Sequence, residues 1–264
     1  NFYSWMNKIQ KGSNLFREIV FPQIGDKNHL NMKGIEGIAD QHRPLFLAGL
    51  LAFKKYGMQE QMNRLIRIFE YMSIKGVQLP TQCGTNGITS QERYALIDKY
   101  CKKLSDASTG FTLQMAQIKA KQILDEFAIE IENRCKSVWQ AAAADEALPG
   151  VTGWDVDTLA QIDYSQSECR IILSRIELKA SGTTKTWDID VEVEHIAPQS
   201  WQDDWKNAEK GGGFAGEDEL QIYLNRIGNR TLLSPTPNSS LGNMSFHDKQ
   251  TKEEHGFDSQ AESW

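Results

Sequence analysis

The chain has 264 residues, a formal charge of -6 and 40% hydrophobic residues, enough to bury a core in one large domain or two ordinary ones. No run is long and apolar enough to span a bilayer, and no charged-then-apolar leader opens the chain, so the expectation is a cytoplasmic protein with no membrane partner. Four scattered cysteines, Cys83, Cys101, Cys135 and Cys169, form no C-x-x-C pair, which argues against a zinc knuckle or a disulfide framework and for reduced thiols.

Charge is unevenly spread. Residues 1–80 carry 11 Lys and Arg against 6 Asp and Glu, whereas residues 195–264 carry 6 against 11. An acidic end does not attract nucleic acid loosely; contact there requires local basic groups or a bound cation.

In chain order, the first 150 residues read as a helical domain. Apolar residues recur at three and four through Leu47, Leu50 and Leu51, then through Met62, Leu65, Ile66 and Phe69. Tyr56-Gly57-Met58 between them predicts a helix end and a tight turn. Met58, Met62 and Met72 fall on a core face. Segment 76–88 is Gly- and Thr-rich and reads as loop. Thr89-Ser90-Gln91-Glu92 has the form of a capping box and predicts a helix through Tyr94, Leu96, Ile97 and Cys101. The longest candidate helix runs from Phe111 to about Ala144, with Ile123, Phe127, Ile131 and Cys135 on one face. Leu148-Pro149-Gly150 breaks it. His29 and His42 have no partner acids at ligand spacing and read as structural.

Residues 151–264 read as a second domain. Ser165-Gln166-Ser167-Glu168 is another capping box, opening a helix that carries Ile171, Ile172, Ile176 and Leu178. Ala180 to Thr184 reads as a turn. Trp187 to Val193 alternates apolar and acidic residues, which predicts a strand half in the core, with Asp188, Asp190 and Glu192 on its solvated face. Gly211-Gly212-Gly213 reads as a mobile loop and Glu217 to Arg226 as a short helix. Asn229 to Leu233 is a short strand ended by Pro235 and Pro237. Met244 to Glu254 is a final helix, followed by a frayed tail. Trp201 and Trp205 read as packing over the neighbouring loop rather than as base-stacking rings.

The chemistry centres on VEVEHIAPQS. Strand, Glu-His, loop, short strand, turn with Asn, helix is the order that a one-cation phosphodiesterase site requires. Water attacking a phosphodiester needs a base, and the departing oxygen needs its charge stabilised. A neutral His195 imidazole can take the proton at pH 7. A hard cation prefers oxygen ligands, and Glu194 offers a carboxylate and Asn238 an amide oxygen. Asn229 can hold the loop after His195 through its amide. Adjacent strand residues point to opposite faces, so Glu194 and His195 share a site only if the strand ends there, and Pro198 is placed to end it.

EHIAPQ, RIGNRTLL and Asn238 resemble the HNH (ββα-metal) nucleases. Together with SECRIILSRIE and SLGNMSFHDK, they resemble the C-terminal nuclease domain of GmrSD-type modification-dependent restriction endonucleases over roughly residues 165–255. The resemblance implies a mostly α protein with a small α+β part: an N-terminal helical domain, 1–150, and a C-terminal ββα-metal, HNH-like nuclease domain, 151–264. It implies His195 as general base, Glu194 and Asn238 as ligands of Mg2+ or Mn2+, and Asn229 as the loop-fixing residue. Asn243 and His247 are alternatives to Asn238 as second ligand. Arg230 and Lys249 are read either as contacts to the DNA phosphates or as ordinary surface charge. The implied activity is metal-dependent DNA cleavage, nicking or double-strand, in an anti-phage restriction system. The implied partners are DNA, a nucleotide-handling, modification-sensing domain placed N-terminally or on a separate chain, and possible homodimerisation. The rival expectation is a non-catalytic DNA- or protein-binding module with a degenerate HNH fold. All of the catalytic reading requires the His195 ring to face an attacking water and both oxygen donors.

Overall fold

A computed structural model describes residues 2–21, 42–82, 86–107, 112–143, 160–181, 191–200 and 202–257. The protein is mostly helical, and among the described residues it has one sheet of two antiparallel strands. It divides into two compact units, Asn1–Gly153 and Trp154–Trp264.

The first unit contains α1 (Phe2–Val20), α2 (Arg43–Phe53), α3 (Gln59–Ser73), α4 (Leu79–Gln82), α5 (Ser90–Ala107) and α6 (Leu113–Ala143). The turn predicted at Gly57 is present: Gly57 has φ 67°, a left-handed conformation that glycine adopts without strain. The capping box is also present. Thr89 N donates to Glu92 Oε2 at 3.0 Å, and Glu92 N donates to Thr89 Oγ1 at 3.3 Å. Such a cap contributes about 1 kcal/mol. Leu45, Phe46, Leu65, Ile66, Phe69, Met72, Tyr100, Leu124, Phe127 and Ile131 form the core. Each large side chain buried there contributes about 1.5–3 kcal/mol. Met58 and Met62 are buried with them, and His42 packs its ring 4.9 Å from that of Phe46.

One expectation is corrected here. Segment 76–88 is not simply loop. A π-helical turn, Ile74–Gln78, continues α3, and α4 follows it. Gly76 makes this possible, because a Cβ there would stand 2.6 Å from Ile88 Cδ1 and 3.1 Å from Cys135 Sγ. Glycine in this run marks close approach, not chain freedom.

The second unit contains α7 (Gln166–Ser181), β1 (Glu192–His195), α8 (Glu217–Tyr223), β2 (Arg230–Leu233), α9 (Pro235–Leu241) and α10 (Phe246–Thr251), with short 3-10 turns between them. The Ser165 capping box starts α7: Ser165 N donates to Glu168 Oε2 at 2.8 Å. On this helix Ile171 and Ser174 are buried and Ile176 is 55% exposed. β1 and β2 pair with Glu192 opposite Leu233, Val193 opposite Leu232, Glu194 opposite Thr231 and His195 opposite Arg230. The expected strand residues 187–190 and most of the expected turn at 180–184 lie outside the described residues, as do Cys83, His29, Trp201 and the tail beyond 257.

Gly211 to Gly213 does not form a loose loop. A Cβ on Gly212 would stand 2.3 Å from the carbonyl oxygen of Trp205. Gly213 N and Phe214 N both donate to that same oxygen, at 2.9 and 3.2 Å. Trp205 is buried beside Phe214, with ring centroids 6.3 Å apart, so it packs as expected.

Candidate active site

The site residues are held by β1, β2 and the two helices after them. The loop leaving β1 is tied to the turn before β2. Ile196 N donates to Asn229 O at 3.0 Å, and Ala197 N donates to Asn229 Oδ1 at 2.7 Å. Asn229 Nδ2 returns hydrogen bonds to Ala197 O at 3.1 Å and Leu224 O at 3.0 Å. A primary amide presents a donor and an acceptor side by side, so it can clamp both backbone groups of one residue.

β1 ends at His195, where the expectation places its end. His195 is paired with Arg230, and side chains along β1 alternate. Val193 and His195 are buried, whereas Glu192 is exposed and Glu194 half-buried. Glu194 and His195 therefore alternate along β1, and the backbone bends directly after His195.

On the buried face, the His195 ring is 7% exposed and its Nε2 has no hydrogen-bond partner. Its side chain is hydrogen-bonded to Asn225. Arg230 is also buried, 6% exposed, and its Nη2 donates to Asn225 Oδ1 at 2.7 Å. Arg230 Nε and Nη1 are buried without partners. Burial, then the Arg230 charge, pushes the His195 pKa down to about 4, with the Asn225 hydrogen bond opposing and Lys249 adding to the shift. At pH 7 the ring is neutral. Arg230 was expected on the surface, either at the phosphates or as free charge. It is instead a buried partner of the site, because β2 turns it inward opposite His195.

The other face carries the acids. Lys249, from α10, is 0% exposed, and its Nζ donates to Glu194 Oε1 at 2.6 Å and to His195 O at 2.7 Å. Lys249 was likewise expected at the phosphates or on the surface and lies in the interior. α10 points it inward through its cap: Ser245 Oγ accepts from Asp248 N at 3.2 Å and donates to Asp248 Oδ2 at 2.7 Å. Lys252 Nζ then ties α10 to α9 through Ser240 O and Oγ at 2.8 and 2.7 Å. Asn238, on α9, donates through Nδ2 to Glu192 Oε2 at 2.5 Å, and its Oδ1 is buried without a partner. Asn243 and His247 are exposed.

Among the described residues no group of three or more His, Cys, Asp and Glu is clustered for a metal ion. The oxygen donors on α9 and β1 are Asn238 and Glu192, which are hydrogen-bonded to each other, and Glu194, which is held by Lys249. In kind they fit a hard cation: two carboxylates and an amide oxygen that lacks a donor. Asn225 was not singled out from the sequence, although it directly precedes the RIGNRTLL run that carries the resemblance. Glu192, with Asp188 and Asp190, was weighed as a second cation site and read instead as solvated charge.

One comparison with known proteins identifies a family for the C-terminal unit. Residues 157–262 match the family model described as GmrSD restriction endonucleases, C-terminal domain. The resemblance read from the motifs is thus shown for the C-terminal unit, which is similar to a family of restriction endonucleases. No curated protein and no solved structure matches the chain.

Proposed function

We propose that the C-terminal unit is a divalent-cation-dependent DNA endonuclease of the HNH type, acting in a cytoplasmic restriction system against phage. The observation that carries this reading is the His195 Nε2: a buried, neutral imidazole nitrogen with no partner, in a segment that matches a restriction-endonuclease domain. A buried polar atom left unsatisfied costs about 1–3 kcal/mol, and a proton-accepting role accounts for tolerating that cost. The order β1, β2, α9 also follows that of a ββα-metal nuclease.

In this reading His195 accepts the proton of the attacking water, and Asn229 fixes the loop behind the ring. Glu194 and Asn238 hold Mg2+ or Mn2+, which when bound supplies charge stabilisation at the leaving oxygen. A base with a pKa near 4 is weak at pH 7, and the His195 ring is buried. The active form therefore requires the end of β1 to rotate on substrate binding, uncovering the ring and releasing Glu194 from Lys249. DNA is the proposed substrate. A nucleotide-handling, modification-sensing domain, joined or separate, would license cleavage, and a homodimer would convert nicks into double-strand breaks.

A second reading is favoured by one observation. Lys249 neutralises Glu194 in the interior, as a site without a cation requires. On that reading the unit is a non-catalytic DNA- or protein-binding module. Supercoiled plasmid separates the two. Nicking in Mg2+ or Mn2+ that is lost with EDTA and with His195→Ala supports the nuclease. Binding without cleavage by the unaltered protein supports the module, and unchanged cleavage by His195→Ala removes the ring from the reaction.

A further inference from the structure

A cleft of about 590 Å³ opens beside the turn that precedes β2. Its size falls in the range of roughly 300–1,000 Å³ typical of small-ligand sites. Gly212, Gly213, Phe214, Tyr223, Arg226 and Gly228 line it. The Arg226 guanidinium lies 4.6 Å from the centroid of the exposed Tyr223 ring, and the Phe214 centroid is 6.1 Å from that of Tyr223. Arg226 Nε is buried and has no partner. The three glycines leave those walls without side chains. Gly212 is locked onto the Trp205 backbone, so its wall is built into the fold. Glu219 also lines the cleft, with its Oε2 accepting from Ala215 N at 2.6 Å. Asn229 closes the far side, and it is the residue that clamps Ala197 in the loop after His195.

We infer that this cleft binds one nucleotide of the substrate strand, its base stacked on the Tyr223–Arg226 pair and an acceptor oxygen held by the Arg226 guanidinium. A planar aromatic face carrying a guanidinium suits any base, because every base has a π-face. A side-chain-free glycine wall lets a flat ring approach the backbone. Since residues 195–264 are net acidic, an anionic strand is drawn in only by local cations, and Arg226 is placed to be one. The inference deepens the nuclease reading and rests on it for naming DNA as the ligand. It makes the Gly228–Asn229 turn the link between a seated nucleotide and the loop behind His195.

Gly228 gives the direct test. A Cβ there meets nothing within 4 Å, and its φ is not in the left-handed region, so Gly228→Leu fills the cleft without disturbing the fold. The probe is a short fluorescein-labelled oligodeoxynucleotide, single-stranded or duplex, titrated in EDTA and followed by anisotropy. Thermal melting of each variant and plasmid nicking in Mg2+ are measured alongside. The expected result is a loss of about tenfold in affinity for the single strand with Gly228→Leu and with Arg226→Ala, partial recovery with Arg226→Lys, and unchanged melting for Gly228→Leu. Wild-type affinity in Gly228→Leu, or no binding by the unaltered protein, overturns the inference, whatever happens to the plasmid. Loss of binding in Gly228→Leu, with no nicking by any form, keeps the cleft as a DNA site and removes the nuclease reading instead.

Discussion

Lys249 Nζ lies 2.6 Å from Glu194 Oε1, and the lysine is fully buried. Burial lowers the Lys249 pKa while Glu194 raises it, so the pair holds its charge only as a pair. Removing one partner of a buried pair strands the other. Lys249→Met is expected to cost about 3 kcal/mol in urea unfolding. It should also open Glu194 to a cation, so Mg2+ should raise the unfolding midpoint of this variant more than that of the unaltered protein. Equal Mg2+ responses would count against Glu194 as a ligand.

His195 gives a pH dependence with a definite sign. Its pKa in the folded protein is about 4, below the ordinary 6.5, so between these values the unfolded chain binds the extra proton. The stabilisation is fully present above pH 6.5 and is lost as pH falls towards 4, a total of about 3 kcal/mol. His195→Asn should flatten that part of the stability curve, as read by denaturant titrations across pH. If the ring takes its proton in the resting geometry, the acid limb of kcat/KM falls near pH 4; a limb near 6.5 means that the ring is uncovered before reaction.

Asn229 makes three side-chain hydrogen bonds, two of them to Ala197. Asn229→Ala should destabilise the second unit by about 2–3 kcal/mol. Asn229→Asp should do at least as much harm, because it turns a carboxylate oxygen towards two carbonyls. Thermal melting measures both effects. Hydrogen exchange at the Ala197 amide should accelerate more than exchange in the middle of β2.

The glycines of this unit are not equivalent. Gly212→Ala forces a Cβ to 2.3 Å from the Trp205 carbonyl oxygen and should cost about 2 kcal/mol. Gly228→Ala meets nothing and should change stability little. Paired melting curves check the contrast; a harmless Gly212→Ala would mean that the Trp205 turn can shift.

What could be read in advance was local. The capping boxes at Thr89 and Ser165 are complete within four residues, and both form the expected hydrogen bonds. The alternation ending in VEVEH marked a strand with one buried face, and β1 has that pattern. The inward turn of Arg230 and Lys249 was not legible, because a cation in a sequence reads as solvated until its buried partner is known. For Lys249 that partner is 55 residues away. Glu-His-x-x-Pro looks like a strand end, and β1 does end at His195, the residue paired with Arg230. Gly76 was misread because a glycine needed for close approach and a glycine needed for a turn look the same in one dimension.

The amine that closes the end of β1 arrives 54 residues after the histidine whose carbonyl it binds. A ribosome therefore completes Glu194 well before it supplies the amine that pairs with it. Polypeptides broken off upstream of position 249 would have the strand but not the cation that joins its last acid and its last carbonyl.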